Sequence, residues 1–269
     1  MTKLGFVGIG NMGGAIIRGI NGKLGNTAVF AYDKDPQKLV NLRNFGVTAA
    51  NNIFDIAHKC DYLLIAVKPQ QLDEVLAQIK QAANENVVMI SICAGISAEY
   101  IRARTFPKAK VVLVMPNTPM MLGVGASAMS HDDTVSEKEF AFARKVIGTC
   151  GITKVIPEDK MKEVIAINGS SPAFIYVYAL GFVQYAEKVG IDRETALALF
   201  AQSLIGSAKM LTESGMAIEE LIKQVSSPGG TTIAGLEKLS EGKLTDVVIS
   251  ACEACTKRAY ELGEEDSKA

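Results

Sequence analysis

The sequence predicts an α/β protein, a doubly wound parallel sheet followed by an all-helical half, and three observations carry that prediction. An apolar run opens the chain, passes directly into Gly8-Ile-Gly10-Asn-Met-Gly13 and continues at helical spacing. Strand-like runs then alternate with amphipathic stretches up to about Ile156. Beyond Pro157 no strand pattern recurs, and helix formers with capping residues take over.

The elements follow in order. In the opening unit Gly8 permits a tight strand-to-helix turn, Gly10 lets backbone approach a pyrophosphate, and Gly13 lets the helix pack close on the strand. The helix that begins near Asn11, with Met12 in its first turn, aims unpaired N–H groups and its positive dipole end at the phosphates. In a chain with 24 glycines the triplet alone is weak; its weight comes from the strand before it and Ala15-Ile16-Ile17 after it. Further strands are predicted at 29–32, 62–67, 87–92, 111–115, 126–129 and 153–156. They are apolar on both faces, as in a sheet covered by helices on each side. This is a Rossmann-type arrangement, assigned to residues 1–157, with a helical domain over 158–269. In the second half Ser171-Pro172 starts one helix, Asp192 caps another and Thr245 caps the last. Residues 173–183 are apolar around the whole helical circumference. That stretch is shorter than the roughly 20 residues a bilayer needs, so it demands burial on all sides. Either a bundle within the chain or a second chain covers it, and the short helical half favours a homodimer or larger homo-oligomer.

Composition narrows the partners. A net charge of −1 over 269 residues gives no electrostatic footprint for nucleic acid or an anionic membrane, which leaves a small-molecule ligand. The five cysteines are scattered and odd in number, and no cationic leader precedes the first strand, so a reduced, cytoplasmic setting is expected. Cys252-x-x-Cys255 lies in a helical run without a second pair at ligand spacing, which reads as packed thiols; no metal is expected.

Three groups of residues carry the chemistry. Asp33 follows the second strand about twenty residues past Gly13, where dinucleotide folds read the adenosine ribose. Its carboxylate accepts from a 2′-hydroxyl and repels a 2′-phosphate, favouring NADH, whereas the adjacent Lys34 accommodates the extra phosphate of NADPH; the choice stays open, leaning to NADH or to use of both. The ends of the next strands, Ala66-Val67-Lys68-Pro69-Gln70, Ser91-Ile-Cys-Ala94-Gly95 and Met115-Pro-Asn-Thr-Pro119, should converge beside the nicotinamide. In the helical half, Ser227-Pro-Gly-Gly230-Thr231-Thr232 combines a glycine turn, a threonine-capped helix start and hydroxyls, a site for a carboxylate. An ordinary capped loop accounts for the same residues.

The motifs together resemble those of the pyrroline-5-carboxylate reductase family, in that family's order and over the whole chain. They are Gly8-Ile-Gly-Asn-Met-Gly13, Ala66-Val-Lys-Pro-Gln70, Met115-Pro-Asn-Thr-Pro119 and, most specific, Val225-Ser-Ser-Pro-Gly-Gly-Thr-Thr-Ile-Ala-Gly235. The resemblance implies a helical dimerisation domain and reduction of L-Δ1-pyrroline-5-carboxylate to L-proline by NADH or NADPH. It implies that Ser227 and the Gly230, Thr231 and Thr232 backbone hold the substrate carboxylate, with the Thr232 hydroxyl near the ring nitrogen as the catalytic group. It also maps a cofactor-contacting asparagine onto Asn52. The chain departs from the family at Asn168-Gly-Ser-Ser171-Pro172, where Ser171 replaces a glycine. A 3-hydroxyacid-type dehydrogenase is the rival enzyme, but it needs a general base on the first long helix of the second domain, which here carries Asn168 to Pro172 and then apolar residues. A non-catalytic nucleotide-sensing relative is the rival of another class.

Overall fold

The computed structural model describes residues 1–265. Its sheet holds β1 (Thr2–Val7), β2 (Thr27–Tyr32), β3 (Val47–Ala49), β4 (Tyr62–Ile65), β5 (Val88–Ser91), β6 (Lys110–Met115), β7 (Gly125–His131) and β8 (Gly151–Val155). They lie in the order β3-β2-β1-β4-β5-β6-β7-β8, so the winding reverses between β1 and β4. β3 was not anticipated, being a three-residue strand behind a left-handed Gly46. The expected all-parallel sheet needs one correction: β7 runs antiparallel to β6. Only 116–124 join them, without the crossover of a dozen or more residues that a parallel pair requires.

The strands are flanked by α1 (Asn11–Ile20), α2 (Pro36–Val40), α3 (Ile53–Lys59), α4 (Leu72–Ala82), α5 (Ala98–Arg104) and α6 (Glu137–Gly148). Alternation along the strands feeds two cores. Leu4, Phe6, Leu64 and Ile90 point to the face where Ile16, Ile17 and Val146 pack. Val7, Leu63, Ile65 and Met89 point to the other, against Ile56, Leu76 and Ile79.

The remaining helices are α7 (Ser171–Lys188), α8 (Arg193–Glu213), α9 (Ile218–Gln224), α10 (Thr231–Glu241) and α11 (Leu244–Glu265). Ser171–Ala254 form one compact unit; among the described residues Met1–Ser170 and 255–265 form the other. By compactness the helical unit begins at Ser171, because residues 158–170 are tied to the sheet. The Ala98 N–H donates to Glu158 Oε1 (2.9 Å), and Asn168 Nδ2 donates to the Met115 carbonyl (2.7 Å). The α-helix α7 starts at Ser171-Pro172 as expected, but a π-helical segment, Ile165–Ser170, leads directly into it. Pro172 lacks an N–H and crowds the carbonyl four residues back, and a wider turn relieves both. The continuous helix Ile165–Lys188 is thus 24 residues, long and apolar enough to span a membrane, and the length argument made for 173–183 does not extend to it.

Asp192 caps α8 as expected, accepting from the Thr195 N–H at 2.9 Å. Thr245 does not cap: α11 begins at Leu244, after a left-handed Lys243. In α7 only Pro172, Val183 and Ala186 are buried, while Tyr176 and Val177 are 64% and 71% exposed. Among the described residues nothing covers most of this apolar helix.

Candidate active site

β1 delivers the chain to Gly8, whose backbone sits at φ +93° and whose Cβ, were it present, would lie 2.6 Å from the Ala66 carbonyl oxygen. At Gly13 a Cβ would meet the Gly8 carbonyl at 2.5 Å. Only glycine fits either place. Gly10 is different, with open space where its side chain would be, and it precedes α1 without any side-chain cap. The first amides of α1, at Asn11 and Met12, therefore have no capping side chain in front of them; Asn11 is exposed and Met12 packs on the core beneath. This is a cradle that an anionic diphosphate fits.

A cleft of about 350 Å³ opens beside it, lined among others by Gly8, Gly10, Asp33, Lys34, Lys38, Ala66, Val67 and Lys68. It sits at the carboxyl ends of β1, β2 and β4, next to the reversal of strand order. Asp33 is buried, and its carboxylate accepts from the Ile9 N–H (2.7 Å), the Asp35 N–H (2.9 Å) and Lys38 Nζ (3.1 and 3.2 Å). Burial works to raise its pKa, but the Asp35 and Ile9 amides and the Lys38 ammonium together hold it below the ordinary value. Lys38 escaped the sequence reading, although Asp35-Pro36 announces a helix start and the first turns of α2 bring Lys38 back over Asp33. Pro69 opens the 3-10 turn after Lys68 and does not line the cleft. Nor does Asn52: its Oδ1 caps α3 by accepting from the Asp55 N–H (2.8 Å), and its neighbour Ile53 faces the cleft instead.

Ala94 and Gly95 line a second, smaller cleft of about 50 Å³ at the ends of β5 and β6, with Met115, Glu158, Met161 and Lys162. Cys93 closes its base, its thiol directed at the Val67 carbonyl (3.4 Å), and burial pushes that thiol up to about 11. It is neutral packing and not a nucleophile. Cys252 and Cys255 are free thiols on α11, and no metal-ligating cluster occurs among the described residues. His131 ends β7, whose antiparallel run puts it opposite Val112, toward the amino end of β6 and away from the clefts. Its ring lies tilted against Phe140, 3.9 Å between centroids.

In the helical unit the Gly230 N–H donates to the Ser227 carbonyl (2.9 Å) across Pro228 and a left-handed Gly229. Proline then positive-φ glycine is the pattern of a type II turn. One correction applies to the cap: Gly230, not a threonine, is the N-cap, and α10 starts at Thr231 without a side-chain cap. Thr231 and Thr232 thus stand in the first turn with exposed side chains, among amides that no side chain caps.

A glycine cradle at the switch point of a doubly wound sheet defines the class, a nicotinamide-dinucleotide-dependent oxidoreductase with a helical second half. Residues 3–95 match the family described as NADP oxidoreductase, coenzyme F420-dependent, and residues 158–262 match pyrroline-5-carboxylate reductase dimerisation. The chain is 31% identical to the pyrroline-5-carboxylate reductase of Escherichia coli, over 97% of this chain and 98% of that protein. The structure of a pyrroline-5-carboxylate reductase from Coxiella burnetii superposes with a TM-score of 0.90 at 28% identity, covering 97% of this chain and 98% of that one. The Plasmodium falciparum pyrroline carboxylate reductase with NADP bound gives 0.86 at 29% identity, with the same coverage. The chain belongs to the pyrroline-5-carboxylate reductase family and carries its dimerisation domain, the mark of a homo-oligomer.

Proposed function

We infer that the chain reduces L-Δ1-pyrroline-5-carboxylate to L-proline with NADPH or NADH, the last step of proline biosynthesis. The observation that carries this reading is full-length kinship to reductases of that name together with an intact Ser227–Thr232 turn. When bound, NAD(P)H supplies a hydride to the carbon of the C=N bond. The chain's own part is to bind and orient. Gly8, Gly10 and the start of α1 hold the diphosphate, Lys68 and Val67 border its path, and Ala94 and Gly95 wall the nicotinamide side.

The amides of Gly230, Thr231 and Thr232 and the Ser227 hydroxyl receive the substrate carboxylate, as helix N-termini do for anions. The Thr232 hydroxyl donates a hydrogen bond to the lone pair of the ring nitrogen, which polarises the C=N bond toward hydride attack at carbon, and the nitrogen takes up a proton as that bond is reduced. The rival hydroxyacid dehydrogenase is disfavoured by α7, whose single lysine, Lys188, ends the helix far from its start. We further propose a cytoplasmic enzyme, at least a homodimer, with a second copy covering the exposed apolar face of α7. The test is proline formation from pyrroline-5-carboxylate, with NADPH and NADH oxidation followed separately. No proline above background from folded protein would leave a non-catalytic relative as the better reading.

A further inference from the structure

A carboxylate placed after the second strand reads a ribose diol only if it has acceptor sites to offer. Asp33 has none left. A carboxylate provides about four lone-pair sites, and four donor contacts reach this one. Oδ1 takes the Asp35 N–H at 2.9 Å and Lys38 Nζ at 3.1 Å. Oδ2 takes the Ile9 N–H at 2.7 Å and Lys38 Nζ at 3.2 Å. Ile9 lies between Gly8 and Gly10, so that bond ties the glycine turn to the end of β2.

The donors differ in how readily they leave. Two are backbone amides fixed by the turn and by the start of α2, while Lys38 is a flexible ammonium, 42% exposed above a carboxylate that is 7% exposed. Lys38 also cancels the charge by which Asp33 would repel a phosphate. Lys34 lines the same cleft, so a 2′-phosphate arriving there meets a neutralised Asp33–Lys38 pair and one further ammonium group.

We propose that Lys38 sets the cofactor choice: it holds Asp33 as the anchor of the glycine turn and, with Lys34, makes the adenosine-ribose end of the cleft a 2′-phosphate site. The inference rests on the reading of this cleft as a dinucleotide site. Replacing Lys38 by Met returns to Asp33 both its charge and two acceptor sites, which turns the same pocket toward an unphosphorylated ribose. Lys38→Arg keeps the cation and the preference.

The probes are adenosine 2′,5′-bisphosphate and adenosine 5′-monophosphate, which differ only in the 2′-phosphate, titrated calorimetrically into the full chain. The wild type is expected to bind the bisphosphate at least tenfold more tightly. Lys38→Met should erase that preference, Lys38→Arg should restore it, and Lys34→Gln should reduce it in part. Thermal midpoints of the variants are measured alongside, since a merely structural lysine would shift the midpoint and leave the ratio alone. An unchanged ratio in Lys38→Met, or a wild type that prefers the monophosphate, overturns the proposal while leaving the dinucleotide site standing. If neither nucleotide binds the folded protein, the reading of the cleft fails and the proposal with it.

Discussion

The helices α1 and α7 are both rich in apolar side chains, yet they end up in opposite situations. α1 buries Ile16, Ile17 and Ile20 with its small residues Gly13, Gly14 and Ala15, and turns Asn11 outward. α7 leaves Ile175, Tyr176, Val177, Leu180 and Phe182 exposed to 42% or more. The difference is one of pattern: a stripe on one face tells a helix which way to lie, whereas apolar residues all round only tell it that one neighbour is insufficient. Burial of each such side chain is worth about 1.5–3 kcal/mol. The sheet unit has its two cores within the chain; the helical unit, which matches a dimerisation domain, leaves an apolar surface exposed.

The sharpest way to break that comparison is Val177→Asp. In the free chain this side chain is 71% exposed, so the substitution should leave the fold intact. In a symmetric dimer it would strand two carboxylates in an apolar interface, at several kcal/mol each. Sedimentation at low micromolar concentration should then show a folded monomer in place of a dimer; an assembly unaffected by the change would mean that α7 is covered by something else. The matching probe of the sheet unit is Phe6→Ala, at a side chain with no exposure. It should cost about 3–5 kcal/mol in denaturant unfolding at any protein concentration. A concentration-dependent loss would show that the two units are not as separate in stability as their burial suggests.

A chemical contrast is next in size. Thr232→Ala is expected to lower kcat/KM for pyrroline-5-carboxylate by about 1.5–3 kcal/mol, the value of a hydrogen bond to a charged group, with cofactor affinity unchanged. Equal weakening of cofactor binding would place Thr232 in the wrong role.

Much of the sheet unit was legible because its rules are local. The Gly8 to Gly13 spacing, the strand ends at Ala66 and Met115 and the two-faced strands each follow from a period or a turn requirement. What escaped depends on distances between segments. The reversal of β7 follows from a connection too short to cross over, β3 is three residues long, and the π-helical turn before Pro172 leaves no sequence periodicity to detect. Asp33 shows the limit best: its position suggested a ribose acceptor, but nothing in the sequence reveals that Ile9, Asp35 and Lys38 have filled its oxygens. In the helical unit Asp192 was read correctly as a cap, whereas Gly230 took the place given to a threonine because the turn before it already fixes its extended backbone.

The smallest expected effect separates the units by pH. Asn52 caps α3 in the sheet unit and Asp192 caps α8 in the helical unit, each accepting one amide hydrogen, at 2.8 and 2.9 Å. Only the second titrates. The Thr195 amide and hydroxyl hold the Asp192 carboxyl below the ordinary aspartate value of 3.8. A depressed folded pKa means stability that is present above 3.8 and is lost as pH falls through the folded value. Asn52→Ala should therefore destabilise the protein by about 1 kcal/mol to the same extent at pH 7 and pH 3, leaving nucleotide affinity untouched. Asp192→Ala should destabilise at pH 7 and by progressively less as pH falls below 3.8 through the folded carboxyl's own, lower value. Thermal midpoints at both pH values decide the matter. A drop in nucleotide affinity in Asn52→Ala would return that residue to the cofactor site, and a pH-independent Asp192→Ala would show that the α8 cap works through its hydrogen bond alone and not its charge.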